Sequence, residues 1–207
     1  MTPQLFDAFD TLCRRYGAGG RALEIGATLS DDTLLNLGAL RACESRIGIN
    51  LGHAGHVAGG DVLQGNANDL RRFADDAFDV VLSNATLEHD RLFWLTLAEM
   101  RRVLKPGGLL VIGVPGYVRT RSFARRVAGR LGNWARALPL LATALHAAAA
   151  ATPTLNVHDY PGDYYRFSAQ AMREVLLAGT DVLAIEVLAA PPRLVGAGRK
   201  RHACETP

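Results

Sequence analysis

The sequence predicts an α/β protein built on a mainly parallel sheet. Short apolar runs alternate with segments of helical periodicity through the first 115 or so residues, which is the pattern of βαβ units. The runs are continuously apolar rather than alternating, as expected of strands covered by helices on both faces. The chain has 207 residues, 49% of them apolar, enough for one domain with a substantial core.

The elements follow in order. Residues 3–16 space Leu5, Phe6, Phe9, Leu12 and Cys13 at helical intervals, and Gly17, Gly19 and Gly20 end that helix. Residues 21–25 form a short apolar strand that runs into Gly26. Residues 31–42 read as a helix, with Asp31 and Asp32 where acids favour a helix start. Residues 46–51 make a second strand, 61–64 a weak third and 77–83 a fourth. Residues 92–104 are an amphipathic helix, stopped by Lys105-Pro106-Gly107-Gly108, and 109–114 a fifth strand. The pattern then changes. Residues 117–157 are Arg-rich and then Ala-rich, and read as one or two helices inserted after the fifth strand of a single domain, 1–207. A polar, aromatic segment, NVHDYPGDYYRFS, precedes a helix at 169–178, a sixth strand at 181–188 and a last edge strand at 199–204.

Composition excludes several classes. Cys13, Cys43 and Cys204 are odd in number and widely spaced, which argues against a disulfide framework or a zinc site and for a reducing cytoplasm. The first residues carry acids and no long apolar run, unlike a signal peptide. The apolar tract LPLLATALHAAAAA is shorter than the roughly 20 residues a bilayer span needs. The net charge of +3 is uneven: between Tyr117 and His158 there is no acid, while six arginines lie from Arg119 to Arg136. The rest of the chain is net negative. A local basic patch does not read as a nucleic-acid protein. It fits a solvated helix face, a lid that attracts an anionic small-molecule acceptor, or an interfacial helix on anionic lipid through 119–150. The Ala-rich tract could also bury against a second copy of the chain as a homodimer.

Two adjoining runs, FDVVLSNATLEH (78–89) and AEMRRVLKPGGLLVIGVP (98–115), resemble the central and later motifs of class I S-adenosylmethionine-dependent methyltransferases of the small-molecule, type 11 sort. The resemblance covers residues 21–115. It implies a Rossmann-like seven-stranded sheet with a reversed last strand and a cofactor, S-adenosylmethionine, at the carboxyl ends of strands one, two and four. Ligands of open α/β sheets sit in that crevice on general grounds.

Three departures from the family pattern stand out. Its first motif is usually Glu/Asp-x-Gly-x-Gly-x-Gly, whereas this chain reads Glu24-Ile25-Gly26-Ala27-Thr28-Leu29-Ser30. Thr28 is β-branched and resists positive φ. The cofactor has no phosphate to cradle, so the segment reads as a modified turn with Gly26 and Ala27 nearest the ligand, or as a plain connection that binds nothing. The acid expected at the end of strand two, where it accepts from the ribose hydroxyls, is Asn50, followed by Leu51. The Gly-Asp-Ala after strand three is Gly65-Asn66-Ala67. An amide accepts at one end only, so weaker cofactor binding is expected.

The resemblance places Glu24, Gly26, Ala27, Asn50, Leu51, Asn66, Ala67 and Ser83 at the cofactor. His89 follows the fourth strand and is a candidate general base or packing residue. In HDYPGDYYRFS, His158 and Asp163 are candidates for proton transfer, while Tyr164 and Arg166, with Tyr117, are candidates for acceptor binding. The bland alternative is a loop whose rings plug the sheet and whose Arg166 pairs with an acid. No nucleophile triad or metal motif is visible. The expected activity is methyl transfer to a hydroxyl or amine of a sugar or natural-product scaffold. The alternative is a methyltransferase-like binding partner, or a catalyst of other chemistry in the same pocket.

Overall fold

The computed structural model describes residues 1–117, 152, 154–156, 162–189 and 191–202. The expected helical insertion, its arginines, His158 and Tyr160 lie outside them.

Eight strands form one sheet: β1 (Arg21–Ile25), β2 (Ser45–Asn50), β3 (Gly55–Val57), β4 (Gly60–Gln64), β5 (Phe78–Asn84), β6 (Leu104–Pro115), β7 (Thr180–Ala189) and β8 (Pro192–Lys200). Their order is β3-β4-β2-β1-β5-β6-β8-β7. The five from β4 to β6 are parallel, and β8 runs antiparallel to both its neighbours. This is the expected seven-stranded sheet with its reversed last strand, extended by β3 as a hairpin on β4.

Period-two side-chain alternation feeds two apolar layers, one on each face. From β5, Val80 and Leu82 join one cluster while Val81 joins the other; from β6, Leu109 and Val111 oppose Leu110, Ile112 and Val114. The first layer is closed by helix α1 (Pro3–Arg15), which buries Leu5, Phe9, Leu12 and Cys13. Pro3 opens α1, and the Thr2 hydroxyl accepts from the Leu5 amide at 3.4 Å, a conventional N-terminal cap. The second layer is closed by α2 (Phe93–Val103), which buries Leu97, Met100 and Val103.

Four elements differ from expectation. No α-helix follows β1; residues 31–42 contain two 3₁₀ turns, Leu34–Asn36 and Gly38–Leu40. Leu34, Leu37 and Leu40 share one cluster. A spacing of three is the 3₁₀ period, and it outweighs the acids at the expected helix start. Second, β6 starts at Leu104, directly after α2, so Lys105-Pro106-Gly107-Gly108 is a kinked strand entry with Gly107 at φ +74° rather than a helix cap. Third, the 169–178 helix is a single α turn, α3 (Ala169–Ala171), that continues as a π turn, Met172–Leu176. Fourth, the last strand lies earlier than 199–204 and inside the sheet. A Cβ on Gly196 would lie 2.5 Å from Met172 Sδ, and one on Gly198 2.2 Å from Thr180 Oγ1. The glycines admit close packing onto a central strand.

Candidate functional site

A cleft of about 1000 Å³ opens at the carboxyl ends of the parallel strands. Its position follows from topology: chain order reverses on either side of β1, which splays the loops after β1 and β5 apart.

At one end of the cleft is the turn after β1. Gly26 has φ +81°, and its amide donates to Ile49 O at 2.9 Å. A Cβ on Gly26 would fall 2.0 Å from Thr86 Oγ1, which itself donates to Ile25 O at 3.2 Å. Glycine is therefore required here by both dihedral and space. Thr28 needs no positive φ; its hydroxyl bonds that of Ser30 at 2.9 Å. Thr28 and Ser30 line the cleft without closing it, while Leu29 packs toward Gly55. Ala27 does not line the cleft: its methyl is buried with Leu35 and Val62.

Glu24 lines the cleft from a buried position. Its Oε2 accepts from Thr33 Oγ1 at 2.5 Å and from the Leu35 amide at 3.0 Å, which fixes the first 3₁₀ turn. Burial pushes its carboxyl up to about 7, against those hydrogen bonds.

Asn50 lines the cleft, but its amide is already engaged. Nδ2 donates to Ala27 O at 2.7 Å, and Oδ1 accepts from the Gly52 amide at 2.8 Å. One N–H and one lone pair remain for a ligand. Leu51 is exposed beside it, and Asn66 and Ala67 line the cleft from the neighbouring strand end, where the Gly65 amide donates to Asn50 O at 2.8 Å. Asn68 ties that strand end to α2: its Nδ2 donates to Asp90 Oδ2 at 2.7 Å and Thr96 Oγ1 at 2.8 Å. Asp90 Oδ1 in turn accepts from the Leu92 amide at 2.8 Å.

The floor is the end of β5. Ser83 is wholly buried beneath it, so its hydroxyl does not line the cleft. Asn84 does, and its Oδ1 is buried without a hydrogen-bond partner. Ala85 holds φ +52°, an unfavourable conformation for an alanine, with its amide donating to Gly113 O at 3.0 Å.

At the other end His89 lines the cleft. Its Nδ1 lies 2.8 Å from Gly162 O, and a carbonyl only accepts, so Nδ1 carries the proton and Nε2 is the basic nitrogen. The Tyr164 amide donates to Glu88 O at 2.9 Å, and Tyr165 OH donates to Arg91 O at 3.0 Å. Together these contacts zip the β5–α2 loop to residues 162–167. Tyr164 lines the cleft with the Arg91 guanidinium 5.8 Å from its ring centre. Asp163 and Arg166 do not line it. They form a buried two-pronged ion pair, and Arg166 also donates to Leu155 O and Asn156 O. Tyr117 bridges Thr154 away from the cleft. Sequence reasoning missed Ala85, Thr86, Asn68, Asp90 and Arg193 as parts of this site. Arg193 had no local signal, because its place depends on where β8 pairs.

The arrangement fits S-adenosylmethionine. No helix follows β1, so the turn lacks the helix N-terminus that favours phosphate. Facing the cleft instead are the Glu24 carboxyl and the partnerless Asn84 Oδ1, oxygen acceptors that suit a cationic ligand, while Asp32 there is already paired with the Met1 ammonium at 2.7 Å.

Residues 40–112 match the family model described as a methyltransferase domain. A probable phthiotriol/phenolphthiotriol dimycocerosates methyltransferase of Mycobacterium ulcerans is 36% identical over 96 residues, 44% of this chain and 34% of that protein. The match thus spans about a third of the relative's length. A Burkholderia thailandensis 1,6-didemethyltoxoflavin N1-methyltransferase, solved with its acceptor and S-adenosylhomocysteine, shares the fold at TM-score 0.61 and 15% identity, over 95% of this chain and 78% of that one. The [4+2]-cyclase SpnF shares it at TM-score 0.59 and 14% identity, over 96% and 80%. The motifs, the sheet order and the matched segment, residues 40–112, agree in resembling a methyltransferase domain.

Proposed function

We propose that the protein transfers a methyl group from S-adenosylmethionine to a hydroxyl or amine of a small molecule of the sugar or natural-product class. One observation carries the reading. His89, with its tautomer set by Gly162 O, faces the same cleft as the Gly26 turn, Asn50 and Asn66. Bound there, the cofactor supplies a methyl carbon activated by a sulfonium, open to in-line attack. Glu24, Gly26, Asn50, Asn66 and Ala67 would hold it, Gly26 by backbone approach and the amides by hydrogen bonds. His89 Nε2 would take the proton that an acceptor hydroxyl loses as it attacks. Tyr164 offers a flat apolar face for the acceptor, and alignment between that face and the cofactor end supplies much of the rate. The relative named for phthiotriol and phenolphthiotriol dimycocerosates supports a hydroxyl as the nucleophile.

The second reading, a protein that has left methyl transfer, is favoured by Asn50, whose amide is partly spent on Ala27 and Gly52. The cyclase of the same fold supports that option. Calorimetry with S-adenosylmethionine and S-adenosylhomocysteine separates the two. Micromolar binding is the expected result. No heat and no thermal shift at millimolar cofactor overturns methyl transfer.

A further inference from the structure

Four charged side chains, Glu88, Asp163, Arg166 and Arg193, lie near one another, and of these Arg193 lines the cleft. Asp163 and Arg166 satisfy one another. Glu88 and Arg193 do not. Glu88 is wholly buried and neither carboxylate oxygen has a hydrogen-bond partner. Arg193 Nη1 is buried and equally partnerless, while the residue lines the cleft. The two are close enough to influence each other's ionisation but not to bond. Arg193 sits opposite Pro115 in the β6–β8 ladder, next to the floor strand and beyond Asn84. That is the acceptor side, not the cofactor side.

Arg193 is half-buried as a residue, but a buried N–H left unsatisfied at a ligand cleft is costly unless a ligand completes it. Glu88 does not complete it in place. Arg91, 5.8 Å from the centre of the Tyr164 ring, adds a second guanidinium to the cleft lining.

Resting on the methyltransferase reading, we propose that Arg193 docks an anionic oxygen group of the acceptor, a carboxylate or a phosphate, and that Glu88 beneath it takes up a proton from solvent when the anion arrives. The guanidinium fork suits either group. The charged groups facing Glu88 are Arg193 from β8, and Arg166 and Asp163 from the segment before α3. Burial raises the Glu88 carboxyl to about 7, so it is part-protonated near neutrality. A bound anion raises it further. Protonated Glu88 removes a repulsive charge and offers an O–H donor. Binding should therefore weaken as pH rises through about 7.

The test titrates sodium benzoate and, separately, sodium dimethyl phosphate, neither of which changes charge between the two conditions, into the whole protein at fixed ionic strength, at pH 6 and pH 8. S-adenosylhomocysteine affinity is measured on the same samples. Wild type should bind one of the two anions about tenfold more weakly at pH 8 than at pH 6, the change in protonated fraction of a group with a pKa near 7. Which anion binds tells carboxylate from phosphate. Glu88→Gln should bind equally at both values. Arg193→Ala should lose at least tenfold at both, and Arg193→Lys, which keeps the charge without the fork, should fall between. Equal anion binding by wild type and both Arg193 variants overturns the proposal. So does a pH dependence that survives in Glu88→Gln. Anion binding without S-adenosylhomocysteine binding would sink the methyltransferase reading and leave the anion site standing.

Discussion

Gly26→Ala is the sharpest perturbation of the cofactor turn. An alanine at φ +81° costs about 1–2 kcal/mol of backbone strain. Its Cβ would also fall 2.0 Å from Thr86 Oγ1, so Thr86 must rotate and release Ile25 O. That lost hydrogen bond is worth about 1 kcal/mol. Gly26→Ala should thus destabilise by about 3 kcal/mol and Thr86→Ala by about 1 kcal/mol. The double variant removes the clashing hydroxyl and loses the bond only once. It should cost about 2–3 kcal/mol, a coupling of about 1 kcal/mol or more between the sites. Urea denaturation of the four proteins measures this. S-adenosylhomocysteine titration of the same proteins reports whether the turn keeps its ligand geometry. Additive destabilisation would show that Thr86 does not set the requirement for glycine.

Asn50→Asp removes the donor to Ala27 O, so the free protein should lose about 1 kcal/mol. The same carboxylate gains a second acceptor for the ribose, so S-adenosylhomocysteine should bind more tightly; unchanged affinity in calorimetry removes Asn50 from the ribose site. Glu24 is raised to about 7 from 4.5, so the folded chain holds that proton more tightly than the unfolded one. Its stability contribution is full below pH 4.5 and is lost as pH rises through about 7. Glu24→Gln keeps an acceptor for Thr33 and Leu35 and should remove up to about 3 kcal/mol of that pH dependence, read from urea midpoints at pH 5 and 8; an unchanged slope refutes the assignment. His89→Ala should lower turnover of hydroxyl acceptors about 10²–10⁴-fold and of amine acceptors far less, followed by S-adenosylhomocysteine release. Equal losses would make His89 a packing residue.

Legibility in the sequence tracked how local the signal was. The apolar strands β1, β5 and β6 and the helix α2 were readable because each buries a face set by its own periodicity. The segment after β1 was misread because Asp31 and Asp32 outweighed the three-residue spacing of Leu34, Leu37 and Leu40. Strand β8 was displaced because Gly196 and Gly198 answer to Met172 and Thr180, neighbours that only the tertiary structure supplies. The cofactor end of the site was legible for the same local reason: Gly26, Asn50 and Asn66 sit at strand ends fixed by pattern. The acceptor end was not. The ion pair that removes Asp163 and Arg166 from the cleft lies in one short segment, but nothing in the segment tells which way it faces. Arg193 reaches the cleft only through the β6–β8 register.

The zipped contact between the β5–α2 loop and residues 162–167 has an evolutionary corollary. A handful of hydrogen bonds, from the His89 ring to Gly162 O, the Tyr164 amide to Glu88 O and the Tyr165 hydroxyl to Arg91 O, attach one short strip of chain to the scaffold, with Tyr165 and Phe167 packed inward against the core. Such a strip can be rewritten as a cassette. Substrate preference could drift through its outward-facing positions while the nucleoside half of the protein stays fixed, so relatives with this frame need not share a substrate.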